Sequence, residues 1–126
     1  MVVEGLYYTK SHEWVRVDKE TAIVGITDYA QEQLGEITYV ELPPLDKDVD
    51  ASDDLAVVES SKAASDVYSP LSGRVIDTNG ELKTRPELIN EDCYDAGWIC
   101  KIEISNENEL KELMNSADYE EYLKGL

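Results

Sequence analysis

Hydrophobic and polar positions alternate in short runs along most of this chain, and turn residues separate the runs. Tyr7-Tyr8-Thr9 reads as a short strand and Ser11-His12-Glu13 as a turn. Trp14 to Val17 forms the next strand, with Trp14 and Arg16 on one face and Val15 and Val17 on the other. Asp18-Lys19-Glu20 turns the chain into Thr21 to Ile26 and completes a hairpin. Thr27-Asp28 predicts the cap of a helix over Tyr29 to Leu34, stopped by Gly35. Ile37 to Leu42 is a strand ended by Pro43-Pro44, and the acidic stretch Asp46 to Asp54 predicts a loop. Two β-prone runs, Leu55 to Glu59 and Asp66 to Tyr68, then flank a tip of small residues with Lys62 at its crown, a second hairpin that Pro70 ends.

Past Leu71-Ser72-Gly73 the chain reads as a strand over Arg74 to Asn79. Thr84 with Glu87 three residues later has the form of a capping box opening one helical turn through Pro86 to Ile89. Gly97 to Ile104 is the last strand, and its imperfect alternation predicts burial on both faces near Ile99. Ser105 predicts the cap of a final helix with Leu110, Leu113, Met114 and Ala117 on one stripe, restarted at Ser116, with Tyr119, Tyr122 and Leu123 docking back. Many short strands at this spacing predict a mainly β fold, a small flattened barrel or sandwich with short helices and a C-terminal helix. The segments before and after the acidic stretch share the order strand, strand, short helix or turn, with too little similarity to establish a repeat. No linker divides residues 1–126, so the reading is a single domain.

Composition narrows the function. The net charge is -17, from 28 acidic and 11 basic residues, which repels nucleic acid and anionic membrane and suits solubility or basic partner surfaces. No apolar run spans a bilayer, and the first residues lack the marks of a secretion signal or transit peptide. That predicts the cytoplasm, or the mitochondrial matrix for a processed eukaryotic form. Cys93 and Cys100 read as reduced thiols, and one histidine without a CxxC pair argues against zinc. No G-x-S-x-G elbow is present, and Ser11 cannot face its neighbour His12 along a strand, so a hydrolase triad is not supported. His12 reads as a partly exposed structural residue, and Trp14 and Trp98 as core. Eight tyrosines against no phenylalanine is a bias this pattern does not explain.

Lys62 carries the candidate chemistry. Its small neighbours leave the amine open to another protein, although any single exposed lysine is more often just solvated. The frame Glu59-Ser60-Ser61-Lys62-Ala63-Ala64-Ser65-Asp66-Val67-Tyr68-Ser69-Pro70, with Gly73 eleven residues past the lysine, resembles the lipoyl-attachment hairpin of the glycine cleavage system H proteins. Ser11-His12-Glu13-Trp14, Val24-Gly25-Ile26-Thr27-Asp28, Leu34-Gly35, Val40-Glu41-Leu42-Pro43 and Pro86-Glu87-Leu88-Ile89-Asn90-Glu91-Asp92 resemble that family's landmarks in the same order. Biotinyl domains place methionines beside the lysine, where Ser61 and Ala63 stand here.

The resemblance implies a hybrid barrel of the lipoyl/biotinyl type and lipoic acid in amide linkage to Lys62, which removes the lysine's charge. It implies a non-catalytic carrier that takes the aminomethyl group of glycine from a pyridoxal-phosphate glycine decarboxylase (P protein). The group passes to a tetrahydrofolate aminomethyltransferase (T protein), and a lipoamide dehydrogenase (L protein) reoxidises the arm. A lipoate ligase or lipoyl transferase would read Glu59 and Gly73, although Gly73 also suits a turn needing positive φ and Glu59 a solvent-facing strand end. Glu13 is the candidate carboxylate for the protonated amine, with Ser11, Asp66 and Ser69 as further polar contacts of the arm's cleft; Asp66 and Ser69 also suit turn formation. The chain is expected to be a monomer. The alternatives are an H-like lipoyl donor for other complexes, or a non-lipoylated interaction module of the same fold. Where the family usually has glycine, this chain has Asp46, Ser52 and Ala56, which predicts a changed loop path. Ser61 stands for the usual valine and Cys93 for a typical proline.

Overall fold

Gly25 lies opposite Trp14 across the first hairpin, and a Cβ there would sit 2.7 Å from the indole ring. The hairpin is therefore built around a tryptophan laid flat over a glycine, with the indole N–H donating to the carbonyl of Cys93 at 2.9 Å. In this computed structural model, which describes residues Met1–Leu126, the hairpin is β2 (Glu13–Asp18) and β3 (Thr21–Ile26), preceded by β1 (Tyr7–Tyr8). Helix α1 (Asp28–Leu34) follows. Thr27 caps it, accepting from Ala30 N, and Gly35 closes it at φ 81°. The remaining elements are β4 (Ile37–Glu41), β5 (Asp48–Val49), β6 (Asp54–Ser60), β7 (Ala64–Tyr68), β8 (Gly73–Thr78), α2 (Leu88–Asp92), β9 (Cys100–Ile104) and α3 (Ser116–Lys124).

The strands form two antiparallel sheets, six-stranded in the order β1-β2-β3-β9-β8-β5 and three-stranded in the order β4-β6-β7. Their inner faces enclose a cluster of 23 buried residues that includes Trp14, Val24, Ile37, Val58, Val75 and Ile102. A smaller cluster of Val15, Ala22 and Leu71 sits apart from it, covered by Leu110 and Leu113. Trp14 and Val15 are both fully buried, because β2 points alternate side chains to opposite faces and each face is covered. The predicted two-sided burial near Ile99 is found, with Ile99 and Cys100 both inaccessible. Trp98 is not core: it is half-buried, with the Lys101 ammonium 5.2 Å from its ring centroid. Both cysteines are free and buried, and burial pushes both thiols up to about 12. No helix is long and apolar enough to cross a membrane.

Three local readings change. Thr84 does not open a capping box: its backbone is helical, whereas an N-cap is extended. Instead its hydroxyl donates to Glu81 O at the end of a 3-10 helix, Gly80–Lys83, and α2 begins at Leu88 without a side-chain cap. The C-terminal helix is two pieces. Asn106, not Ser105, caps a 3-10 helix over Glu107–Glu112, and Asn115 caps α3 by accepting from Asp118 N at 2.8 Å. Between them Leu113 is extended and Met114 pairs with Tyr8 through two backbone hydrogen bonds, which splits the predicted stripe. The acidic stretch is not all loop either, since β5 pairs with β8. Asp46 at φ 65° and Ser52 at φ 75° adopt the left-handed conformation that glycine favours.

Four of the eight tyrosines are held through their hydroxyl groups. Tyr8 binds Val3 through both N–H and carbonyl, and Tyr94 donates to Met1 O at 2.6 Å while accepting from Asp28 N. Tyr119 meets His12 and Thr27, and Tyr122 donates to Lys10 O. Phenylalanine could fill the same volumes but could not pin the two ends of the chain to the sheets.

Candidate functional site

The second hairpin pairs β6 with β7 from Asp54↔Tyr68 to Glu59↔Ala64. Its tip needs no residue with positive φ. Ser60 replaces the usual turn chemistry: Ser60 N–H donates to Ala63 O at 2.8 Å, while the Ser60 hydroxyl accepts from the amides of Lys62 and Ala63. A serine hydroxyl tying its own turn is the expected role of that side chain. Ser61, Lys62 and Ala63 are all exposed, and the Lys62 ammonium makes no hydrogen bond or ion pair. The lysine stem lies against Gly35 at the end of α1. A modifying enzyme would therefore meet an amine on a rigid ladder with no partner to displace.

The two residues flanking that tip sit differently. Glu59 is half-buried on the central strand of the small sheet, between Tyr39 and Ala64. Gly73 opens β8 and does not have positive φ, so the turn reading of it fails. Its physical constraint is closeness: a Cβ there would lie 2.0 Å from the backbone oxygen of Glu103, so β8 and β9 meet only because that position has no side chain.

Below the hairpin's far end a cleft of about 460 Å³ opens between the two sheets' edges and the C-terminal segment. Glu13, Ser11, Ser69 and Tyr68 line it, with Tyr8, Pro70, Leu113 and Met114 as apolar walls. Glu13 is only 1% exposed. One of its carboxylate oxygens accepts from the hydroxyls of Thr9 at 2.5 Å and Ser11 at 2.6 Å, and the other from Tyr68 N at 3.3 Å. Burial pushes the Glu13 carboxyl above the ordinary carboxylate range, opposed by the Ser11 and Thr9 hydroxyls. The second oxygen has one long partner and keeps acceptor capacity. The site combines a buried carboxylate, two hydroxyls and apolar walls, an arrangement suited to a small cation kept from water.

Of the predicted cleft residues, the structure brings Glu13, Ser11 and Ser69 together, and leaves Asp66 out. Asp66 is exposed on the edge strand β7 and does not line the cleft. Ser69 is buried, and its hydroxyl donates to Leu71 O at 2.6 Å, so it also shapes the turn it was read as forming. His12 is half-buried and bonds Tyr119 rather than Ser11, while Ser11 turns to Glu13. Sequence reasoning missed Thr9 and Tyr68. Nothing in their spacing marks them, because the contact of Thr9 with Glu13 depends on a backbone kink at His12, φ 71°.

With that geometry in view, comparison with known proteins is direct. The model of the family described as "Glycine cleavage H-protein" matches residues 6–126. The "Glycine cleavage system H protein" of Halothermothrix orenii is 50% identical, covering 98% of this chain and 96% of that one. The "Probable glycine cleavage system H protein" of Pyrococcus furiosus is 58% identical, covering 99% and 94%. The crystal structure of a glycine cleavage system H protein from Mycobacterium marinum superposes with a TM-score of 0.88 at 30% identity, covering 99% of this chain and all of that one.

Proposed function

Because this chain belongs to the glycine cleavage H-protein family, we propose that Lys62 is its lipoyl attachment site and that the cleft beside Glu13 shelters the cargo of the arm. Proteins of this family are non-catalytic lipoyl carriers of the aminomethyl group, and this chain is one, serving the P, T and L proteins of the glycine cleavage system. The lipoyl group, when bound, supplies the disulfide that accepts the aminomethyl group and the dithiol that is later reoxidised.

The observation that carries the assignment is the Lys62 amine, exposed and unpaired at a tip tied by Ser60. The chain's residues suit such a group. Small neighbours clear the attachment point, Glu59 and Gly73 frame it for a lipoate ligase or lipoyl transferase, and Gly35 gives the lysine stem room to lie flat. From Ala64 to Tyr68 the hairpin runs about 13 Å at roughly 3.3 Å per residue step, the distance over which an arm rooted at Lys62 folds back toward Glu13. There the carboxylate of Glu13 would hold a protonated amine, Ser11 would orient that carboxylate, and Tyr8, Leu113 and Met114 would exclude water. Asp66, exposed on the rim, would meet the arm on its way in rather than in the cleft. Residues 1–126 act in this reading as one monomeric carrier domain, working in the cytoplasm.

The test is intact mass after co-expression with a lipoylating enzyme and lipoic acid. The wild type is expected to gain one lipoyl group and Lys62→Arg none. No addition to the wild type, or addition to both, would overturn the assignment.

A further inference from the structure

Glu13 does not stand on a ladder alone; it ends a tight turn, and the far side of that turn is held from the C-terminus. Thr9 N–H donates to Glu13 O and His12 N–H to Thr9 O, at 3.0 and 3.1 Å. His12 occupies the left-handed region at φ 71°, disfavoured for any residue with a Cβ. Across this kink the Ser11 hydroxyl donates to the Glu13 carboxylate at 2.6 Å.

The same kink sends the His12 ring to the opposite side, toward α3. There His12 Nδ1 lies 2.8 Å from the Tyr119 hydroxyl, which lies 2.8 Å from Thr27 Oγ1. Burial holds His12 below its ordinary value and so favours the neutral ring. A neutral ring protonated on Nε2 completes the chain: Thr27 O–H donates to Tyr119, and Tyr119 O–H donates to Nδ1, leaving both hydroxyl hydrogens paired. One turn along α3, Tyr122 O–H donates to Lys10 O at 3.1 Å. Tyr119 is itself immobilised, fully buried and stacked on Tyr8 with ring centroids 4.5 Å apart and planes within 1°.

We infer that Tyr119 and Tyr122 of the C-terminal helix are positioning residues that hold the Lys10–His12 turn, and through it keep Ser11 and Glu13 in the geometry of the cleft. The inference rests on the reading of Glu13 as the group that holds the amine. It makes the C-terminal helix a functional part of the carrier, even though no residue of α3 lines the cleft.

The experiment uses the full, unlipoylated chain carrying ¹³C at the glutamate side-chain carboxyls. The Glu13 titration and the exchange of the Glu13 and Tyr68 amides are followed by NMR in wild type, Tyr119→Phe, Tyr122→Phe and Lys124→Ala. Phenylalanine keeps the ring packing, and the ammonium of the exposed Lys124 bonds only Glu121 on its own helix. Tyr119→Phe is expected to move the Glu13 midpoint away from its wild-type position, because a loosened turn alters both the burial that raises it and the Ser11 and Thr9 hydrogen bonds that lower it. It should speed exchange of the two amides on the order of fivefold, the weight of one hydrogen bond. Tyr122→Phe should do the same more weakly, and Lys124→Ala should change neither. If both tyrosine variants loosen the α3 amides while Glu13 and Tyr68 stay at wild-type values, the tyrosines only anchor the helix and the inference falls. The amine-holding reading is separately exposed: it falls if Glu13→Gln in the loaded protein releases its cargo to water no faster than wild type, whatever the tyrosine variants do.

Discussion

Gly35 and Lys62 touch: a Cβ on Gly35 would lie 3.3 Å from Lys62 Cε and 3.7 Å from its Nζ. The end of α1 and the tip of the second hairpin therefore share one surface, and any enzyme that reaches Lys62 also meets α1. Gly35 has a second constraint. It stands at φ 81° and closes the helix with its N–H on Gln31 O at 2.9 Å. Gly35→Ala is expected to cost about 2 kcal/mol of stability, because φ 81° with ψ -153° is a backbone region essentially restricted to glycine. Lipoylation should still run to completion, since only the flexible end of Lys62 has to move. A urea midpoint with intact mass on the same sample checks both, and an unchanged midpoint would show that the helix end relaxes without strain.

Ser52 and Asp46 also stand at positive φ without being glycine. Ser52 is exposed and its hydroxyl makes no hydrogen bond, so replacing it with glycine removes the left-handed penalty and loses no contact. Ser52→Gly is expected to raise stability by about 0.5 kcal/mol, after subtracting the entropy of the added glycine. Asp46→Gly should gain less, because aspartate tolerates this conformation better. Denaturant midpoints of the two variants, with unchanged m-values, would check the ranking; a loss of stability in Ser52→Gly would contradict it.

These positions also show what the sequence could convey. Period-two alternation and turn residues located nearly every strand, because burial of one face per strand is a local property. Thr27 and Gly35 bounded α1 correctly for the same reason. What escaped depended on partners distant in sequence. Met114 leaves the helical stripe because Tyr8 offers it two backbone bonds. Thr84 has the right spacing for a cap but the wrong backbone, and spacing does not report φ and ψ. In the sequence Gly73 belongs to the lipoylation frame and by its position also suits a turn, while its physical need is the passing carbonyl of Glu103. In the site, Lys62 and Glu13 were legible as motif positions, whereas Thr9 and Tyr68 are brought to Glu13 only by the kink at His12 and by the packing of the hairpin over β2.

Glu13 should leave a signature in stability against pH. Burial raises its carboxyl in the folded state above the unfolded value of 4.5, so the folded chain binds that proton more tightly than the unfolded one. Its contribution is therefore fully present below pH 4.5 and is lost as pH rises through the folded midpoint. His12 acts in the opposite sense, because burial lowers it and its contribution fades as pH falls below the usual histidine range. Comparing wild type with Glu13→Gln isolates the first effect, since His12 is common to both. The stability of the wild type relative to Glu13→Gln is expected to increase as pH is lowered from 7 toward 4.5, read from urea denaturation. A flat difference would mean that the hydroxyls of Thr9 and Ser11 offset burial, and one that shrinks on acidification that they outweigh it.

Asn90 joins the pieces on which Lys62 rests. Its Oδ1 accepts from Ile37 N at 2.8 Å, and its Nδ2 donates to Gly35 O at 2.8 Å and Gln31 Oε1 at 2.9 Å. One amide from α2 thus fixes the end of α1 and the first residue of β4, which pairs with Ser60 at the tip of the lysine hairpin. Removing it strands a backbone donor and a backbone acceptor that are partly shielded from water, so Asn90→Ala is expected to cost about 2 to 3 kcal/mol. Asn90→Asp keeps an acceptor for Ile37 N but places a charge against the carbonyl of Gly35, and should rescue little. Because α1 and the hairpin are then no longer tied together, the amides of Gly35 and Ile37 should exchange faster than those of β2 and β3 in Asn90→Ala. Equal protection across all four elements would show that the two sheets alone hold the lysine hairpin in place.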